Sequence, residues 1–154
     1  MNDAGPPLSK STTDLIRFFF TDEARRTAAD LLVRECGDRL PLASSLALIE
    51  RIRHAALKLA KGDLSMLRLR IAEARRDWRD VLVAAGFGND LTAHVRWASE
   101  LAAWRLEVSE VSASVYEVVA IDEAGRRAAF QGTDPDALLV QARMAVLELV
   151  GRHG

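Results

Sequence analysis

The chain is poor in the residues that usually carry chemistry. It has one cysteine, Cys36, and three histidines, His54, His94 and His153, in 154 residues. A lone thiol excludes an intrachain disulfide framework and suits a reducing, cytoplasmic compartment. No two histidines stand four apart, the spacing that puts two ligands on one helix face, so no metal site is expected. Long apolar runs are missing too. The longest covers residues 81–85, far short of the roughly 18 needed to span a bilayer, so no membrane partner is expected. Residues 1–10 show no cationic stretch followed by an apolar one, and no secretory signal is expected there. No G-x-x-x-x-G-K occurs, and no strand precedes Gly86-Phe87-Gly88, which leaves no phosphate loop and no expected cofactor. Net charge is nearly absent, at −1, so nothing global draws the chain to nucleic acid.

What is present is a globular composition, with 49% hydrophobic and 28% charged residues. That is enough apolar material for one core without disulfide or metal staples. Arginine outnumbers lysine 18 to 3 and 25 residues are alanine, a bias of GC-rich bacterial coding sequences.

Hydrophobic period divides the chain. Residues 1–12, with Gly5, Pro6 and Pro7, read as a disordered leader. Thr13 is the expected cap of a short helix carrying Leu15, Ile16 and Phe18-Phe19-Phe20. Thr21, with Asp22 and Glu23 behind it, opens a second helix ending near Cys36. A third is expected over 42–61, with Leu46, Ile49, Ile52, Ala56, Leu59 and Ala60 on its stripe. Asp63 caps a fourth over 63–84, whose apolar face includes Trp78 and which has a break point at Asp77. After Gly88, a fifth carries Leu91, Val95, Ala98 and Leu101 on one side. The period then falls to two. Leu106 and Val108 alternate with charged residues, and residues 115–121 are β-branched and aromatic. A turn over 122–125 leads to a returning arm at 127–131. Thr133 or Asp134 caps a last helix, with Pro135 at its first position.

The expected fold is α+β: a helical region of about five helices over 13–103, then a small antiparallel hairpin sheet and a C-terminal helix over 104–154. The second part is expected to pack on the first in one core. Net charge is −2 over 1–50, +5 over 51–97 and −4 over 98–154, which suits complementary segments of one fold.

Four sets of residues carry candidate function. Asp90, His94 and Trp97 can share a helix face, as a ligand or acid–base site beside an aromatic wall; read structurally, they are a capped helix with a packed histidine. A Cys36–His54 or Cys36–His94 thiolate pair is disfavoured, because a helix C-terminus repels an anion. Arg68, Arg75 and Arg79 fall within about 40° on a continuous helical wheel, a stripe that suits phosphates or a solvated face. Phe18, Phe19 and Phe20 cannot all face one side of a short helix, so the segment is expected to meet another chain. Trp97 and Trp104, seven residues apart, read as one face of a continuing helix.

The order from Asp90 onward, helix, three short strands, helix, is similar to that of double-stranded RNA-binding domains. Asp134-Pro135-Asp136-Ala137-Leu138 stands where those domains place lysines, a departure that removes their phosphate grip. Residues 116–150 also resemble the strand-hairpin-helix half of small antitoxins of the HicB kind, through Gly132, Ala137 and Ala142, without their middle segment. The expected function is non-enzymatic: binding a protein partner or a second copy of the chain as a homo-oligomer. The alternatives are a nucleic-acid-binding regulator using the arginines of helix 63–84, and an enzyme or small-ligand binder around His94.

Overall fold

The structure, a computed structural model, describes residues 5–41 and 45–151. It is α+β. Helices α1 (Lys10–Phe19), α2 (Asp22–Glu35), α3 (Leu46–Ala60), α4 (Leu64–Ala84) and α5 (Ala93–Ala102) lead into strands β1 (Trp104–Ser112), β2 (Val115–Asp122) and β3 (Arg127–Gly132), and α6 (Pro135–Gly151) closes the chain. It divides into two compact units, Met1–Ala98 and Ser99–Gly154, with the boundary inside α5.

In the first unit α3 is the central element, packed against α1 and α4. Ile49, Ile52, Ala55, Ala56, Leu57 and Ala60 are buried, and so are Arg51, Arg53 and His54. A helix enclosed on most sides must satisfy its polar side chains internally. Arg53 does so by donating to the Cys36 carbonyl from Nε at 2.8 Å and to the Pro6 carbonyl at 2.8 Å. Lys58 donates to the Ala85 carbonyl at 2.7 Å, and Arg51 donates to that of Phe87. These two cations thereby sit at the C-terminus of α4, the end that favours positive charge. That end closes through Gly86 in the left-handed region (φ 81°), with Gly86 N donating to Val83 O and Phe87 N to Leu82 O. This bonding pattern is a Schellman cap.

Several boundaries differ from the expectation. Ser9, not Thr13, caps α1, its hydroxyl accepting from Thr12 N, so residues 10–12 of the expected leader are helical. The expected start of α3 at 42 falls in 42–44, outside the described residues; the helix begins at Leu46 with Ser45 as its cap, and Leu46 is exposed. In α4 the backbone does leave helical geometry at Asp77 (φ −156°, ψ 100°). Past that break Trp78 turns out of the core: it is half-buried and donates from Nε1 to the Pro41 carbonyl. On α5 the buried side carries His94, Trp97, Ala98 and Leu101, whereas Val95 is exposed, as is Leu91, which precedes the helix. The expected stripe is rotated because histidine and tryptophan, rather than the two aliphatic residues, fill the interior. The tryptophan spacing also misleads. Helix α5 ends at Ala102, and Trp104 is already the first residue of β1.

The second unit is an antiparallel sheet of order β1-β2-β3. Leu106 lies opposite Ala120, and Val118 opposite both Val108 and Phe130. Asp134 accepts from the Asp136 and Ala137 amides at the start of α6, with Pro135 at the first helical position. Helix α6 lies on the sheet with Leu138, Ala142, Val146 and Val150 inward, one residue per turn. Val118, Leu138 and Ala142 form a core cluster, with Leu106, Tyr116 and Phe130 packed around it.

Candidate functional site

The helical unit encloses a polar cluster contributed by α1, α3 and α5. Ser9 donates to Glu50 and lies 3.1 Å from Thr12 Oγ1. Thr12 Oγ1 is 3.2 Å from His54 Nε2, and Glu50 Oε1 is 3.7 Å from the same nitrogen. The His54 ring meets the His94 ring edge to face, with centroids 5.3 Å apart. Beyond them stands an aromatic wall. Phe87 contacts both His94 and Trp97, Trp97 stacks on Phe19, and Lys58 Nζ lies 4.8 Å above the Phe87 ring.

Burial dominates the electrostatics of the two rings, while Ser9 and Glu50 are half-buried at the edge of the cluster. Burial pushes His54 down to about 4, against an opposing pull from the Glu50 carboxylate. Burial likewise lowers His94. Backbone hydrogen bonding opposes the lowering at both rings, from His94 for His54 and from Leu91 for His94. This is not a nucleophilic triad. There the acid holds the ring nitrogen opposite the one facing the hydroxyl, whereas here Thr12 and Glu50 both approach Nε2. Thr12 is also fully buried, which denies the hydroxyl a substrate.

The expected site residues are distributed as follows. His94 and Trp97 do share the inner face of α5. Asp90 is half-buried at the outer side: it pairs with Arg96 at 2.6 Å and accepts from Thr92, and its charge reaches His94 only through space. These donors, the Arg96 guanidinium first, hold its carboxyl far below the usual range. Cys36 is buried and its thiol is pushed up to about 12 by burial, so no thiolate forms near neutral pH. Arg53, beside His54 in sequence, donates to the Cys36 carbonyl. His153 lies outside the described residues.

Arg68, Arg75 and Arg79 do not form one stripe. The break at Asp77 separates Arg79, which pairs with Asp77 itself at 2.9 Å. Arg75 pairs with Glu35 of α2 at 2.7 Å. Arg68 and Arg75 line a small groove of about 120 Å³ with Leu31, Glu35, Ile71 and Ala72. Of the three phenylalanines, Phe19 and Phe20 are buried inside the chain, and Phe18 is half-buried, edge-on to Phe19.

The sequence reading missed Ser9, Thr12 and Glu50. One local signal existed: Glu50 precedes His54 by four residues, which puts both on one helix face. The meeting of His54 with His94 depends on how α3 and α5 pack, and no spacing encodes it. Among the described residues no group of three or more histidine, cysteine or acidic side chains is placed to hold a metal, and no helix is long and apolar enough to cross a membrane. Comparison with protein-family models, curated proteins and solved structures produced no match.

Proposed function

We propose that this chain is a non-enzymatic binding protein that works by associating with a protein partner, in the first place with itself. The observation that carries the reading is the open edge of the sheet. Strand β1 has nine residues, pairs among the described residues only with β2, and exposes Val108 and Val111. Long unpaired edges with exposed apolar side chains are templates for pairing with another strand. Helix α6 adds to this. Opposite its buried stripe it exposes Val140 and Met144, one turn apart, where a purely solvent-facing side would be polar. Phe18 keeps part of its ring surface for a partner as well.

The two alternatives have less support. Glu35 and Asp77 already compensate Arg75 and Arg79, which leaves Arg68 as the arginine of that set with no ion pair among the described residues. The His94 environment is closed and lacks a placed nucleophile. Light scattering on the full chain over a concentration series tests the reading: growth in molar mass supports it, and an unchanging monomer mass rejects self-association.

A further inference from the structure

We propose that two copies of this chain join through β1, edge to edge and antiparallel, about a two-fold axis passing through Leu106. This rests on the self-association reading above and supplies its surface and register.

Backbone direction comes first. Asp122 N donates to Arg126 O at 3.0 Å, so Asp122 turns its amide toward β3. By strand alternation Ala120 and Val118 do the same, while Ile121, Val119 and Glu117 turn theirs toward β1. Their partners there are Arg105, Glu107 and Ser109. The N–H and C=O groups of Leu106 and Val108 therefore point off the open edge, and a second strand must bond to these.

Side chains then select among the symmetric registers. With the axis at Glu107, that carboxylate faces its own copy, and like charges directly opposite are unfavourable. With the axis at Val108, Glu107 faces Ser109 and Leu106 faces Glu110, so no charge is matched and an apolar side chain meets an acid. With the axis at Leu106, Arg105 faces Glu107 of the other copy, twice. These are non-hydrogen-bonded pairs, in which opposing Cα atoms approach to about 4.5 Å and side chains interact most closely. Arg105 and Glu107 are both exposed, and neither has an ion-pair partner among the described residues. In the same register Val108, 47% exposed, lies opposite Trp104 of the other copy. In this register the ladder spans residues 104–108 of each copy, because β1 begins at Trp104 and α5 ends at Ala102.

Sedimentation velocity on the full chain tests this with Arg105→Glu, Glu107→Arg and the double variant, each checked for retained helicity by circular dichroism. The wild type is expected to dimerise. Each single exchange turns two attractions into two repulsions and is expected to weaken the dimer about tenfold or more. The double variant restores both pairs and is expected to recover wild-type affinity. A wild type that dimerises equally well with either single exchange, or a double variant as weak as the singles, overturns the register while leaving self-association standing. A wild type that stays monomeric overturns both.

Discussion

His54 of α3 and His94 of α5 face each other in the helical unit, ring centroids 5.3 Å apart. Both are neutral in the folded chain near pH 7 because burial lowers their affinity for a proton. A group whose folded pKa is depressed contributes stability above its unfolded value, and that contribution is lost as pH falls toward the folded value. For His54 the window runs from 6.5 down to about 4. The full depression corresponds to at most about 3 kcal/mol. Urea midpoints are therefore expected to drop between pH 6.5 and 4, and His54→Gln is expected to flatten that slope. An unchanged slope in the variant would show that other groups control acid stability.

Arg53 is expected to be the most sensitive buried charge. Its guanidinium satisfies the carbonyls of Cys36 and Pro6 and reaches that of Pro7 at 3.4 Å. Arg53→Met keeps the aliphatic stem but leaves those acceptors without their donor. The expected loss is about 2–4 kcal/mol in denaturant unfolding. A loss below about 0.5 kcal/mol, the range of ordinary surface substitutions, would mean that these contacts are replaced by water.

Two glycines separate backbone strain from crowding. Gly62 (φ 86°) and Gly125 (φ 88°) both adopt left-handed geometry, but a Cβ at Gly62 would lie 2.5 Å from the Phe19 carbonyl oxygen, whereas one at Gly125 meets nothing within 4 Å. Gly125→Ala is expected to cost about 1 kcal/mol, the conformational term alone. Gly62→Ala is expected to cost clearly more, since the obstruction is backbone. Thermal unfolding of both variants checks the order, and equal losses would contradict it.

Duplex DNA or RNA is expected not to bind. Phosphate binding needs arginines free to neutralise phosphates and so release the nucleic acid's counterions, and Arg75 and Arg79 are engaged by Glu35 and Asp77. Fluorescence anisotropy at low salt checks this. Affinity that falls steeply with added salt and with Arg68→Ala would restore the nucleic-acid alternative.

Local signals carried much of the fold. The cap at Asp134 with Pro135, the hairpin turn over 122–125 and the break at Asp77 are all set by residues adjacent in sequence, and all were legible. Helix α5 was placed but rotated, because aliphatic periodicity favoured Leu91 and Val95 while His94 and Trp97 occupy the interior. Assembled features were out of reach. Nothing local marks Arg53 as buried; Pro6 and Cys36 are brought to it only by packing. The arginine wheel assumed an unbroken helix, and one nonhelical residue dissolved it. The candidate site was legible only as the pairing of His94 with Trp97; its α1 and α3 contributions come from packing.

The open edge of β1 predicts a separation of association from folding. Val108→Pro removes an N–H that points off the sheet, and so leaves the β1–β2 ladder its donors at Glu107 and Ser109. The variant is expected to keep its secondary structure by circular dichroism and to lose self-association. Unaltered association would place the contact elsewhere, for instance on Val140 and Met144 of α6.

The most direct measurement is the molar mass of the full-length wild-type chain by light scattering, from about 1 to 100 μM, a range that brackets micromolar dissociation constants. The expected result is a mass rising from 16.9 kDa toward twice that value. A mass that stays at 16.9 kDa throughout contradicts self-association as this protein's mode of action.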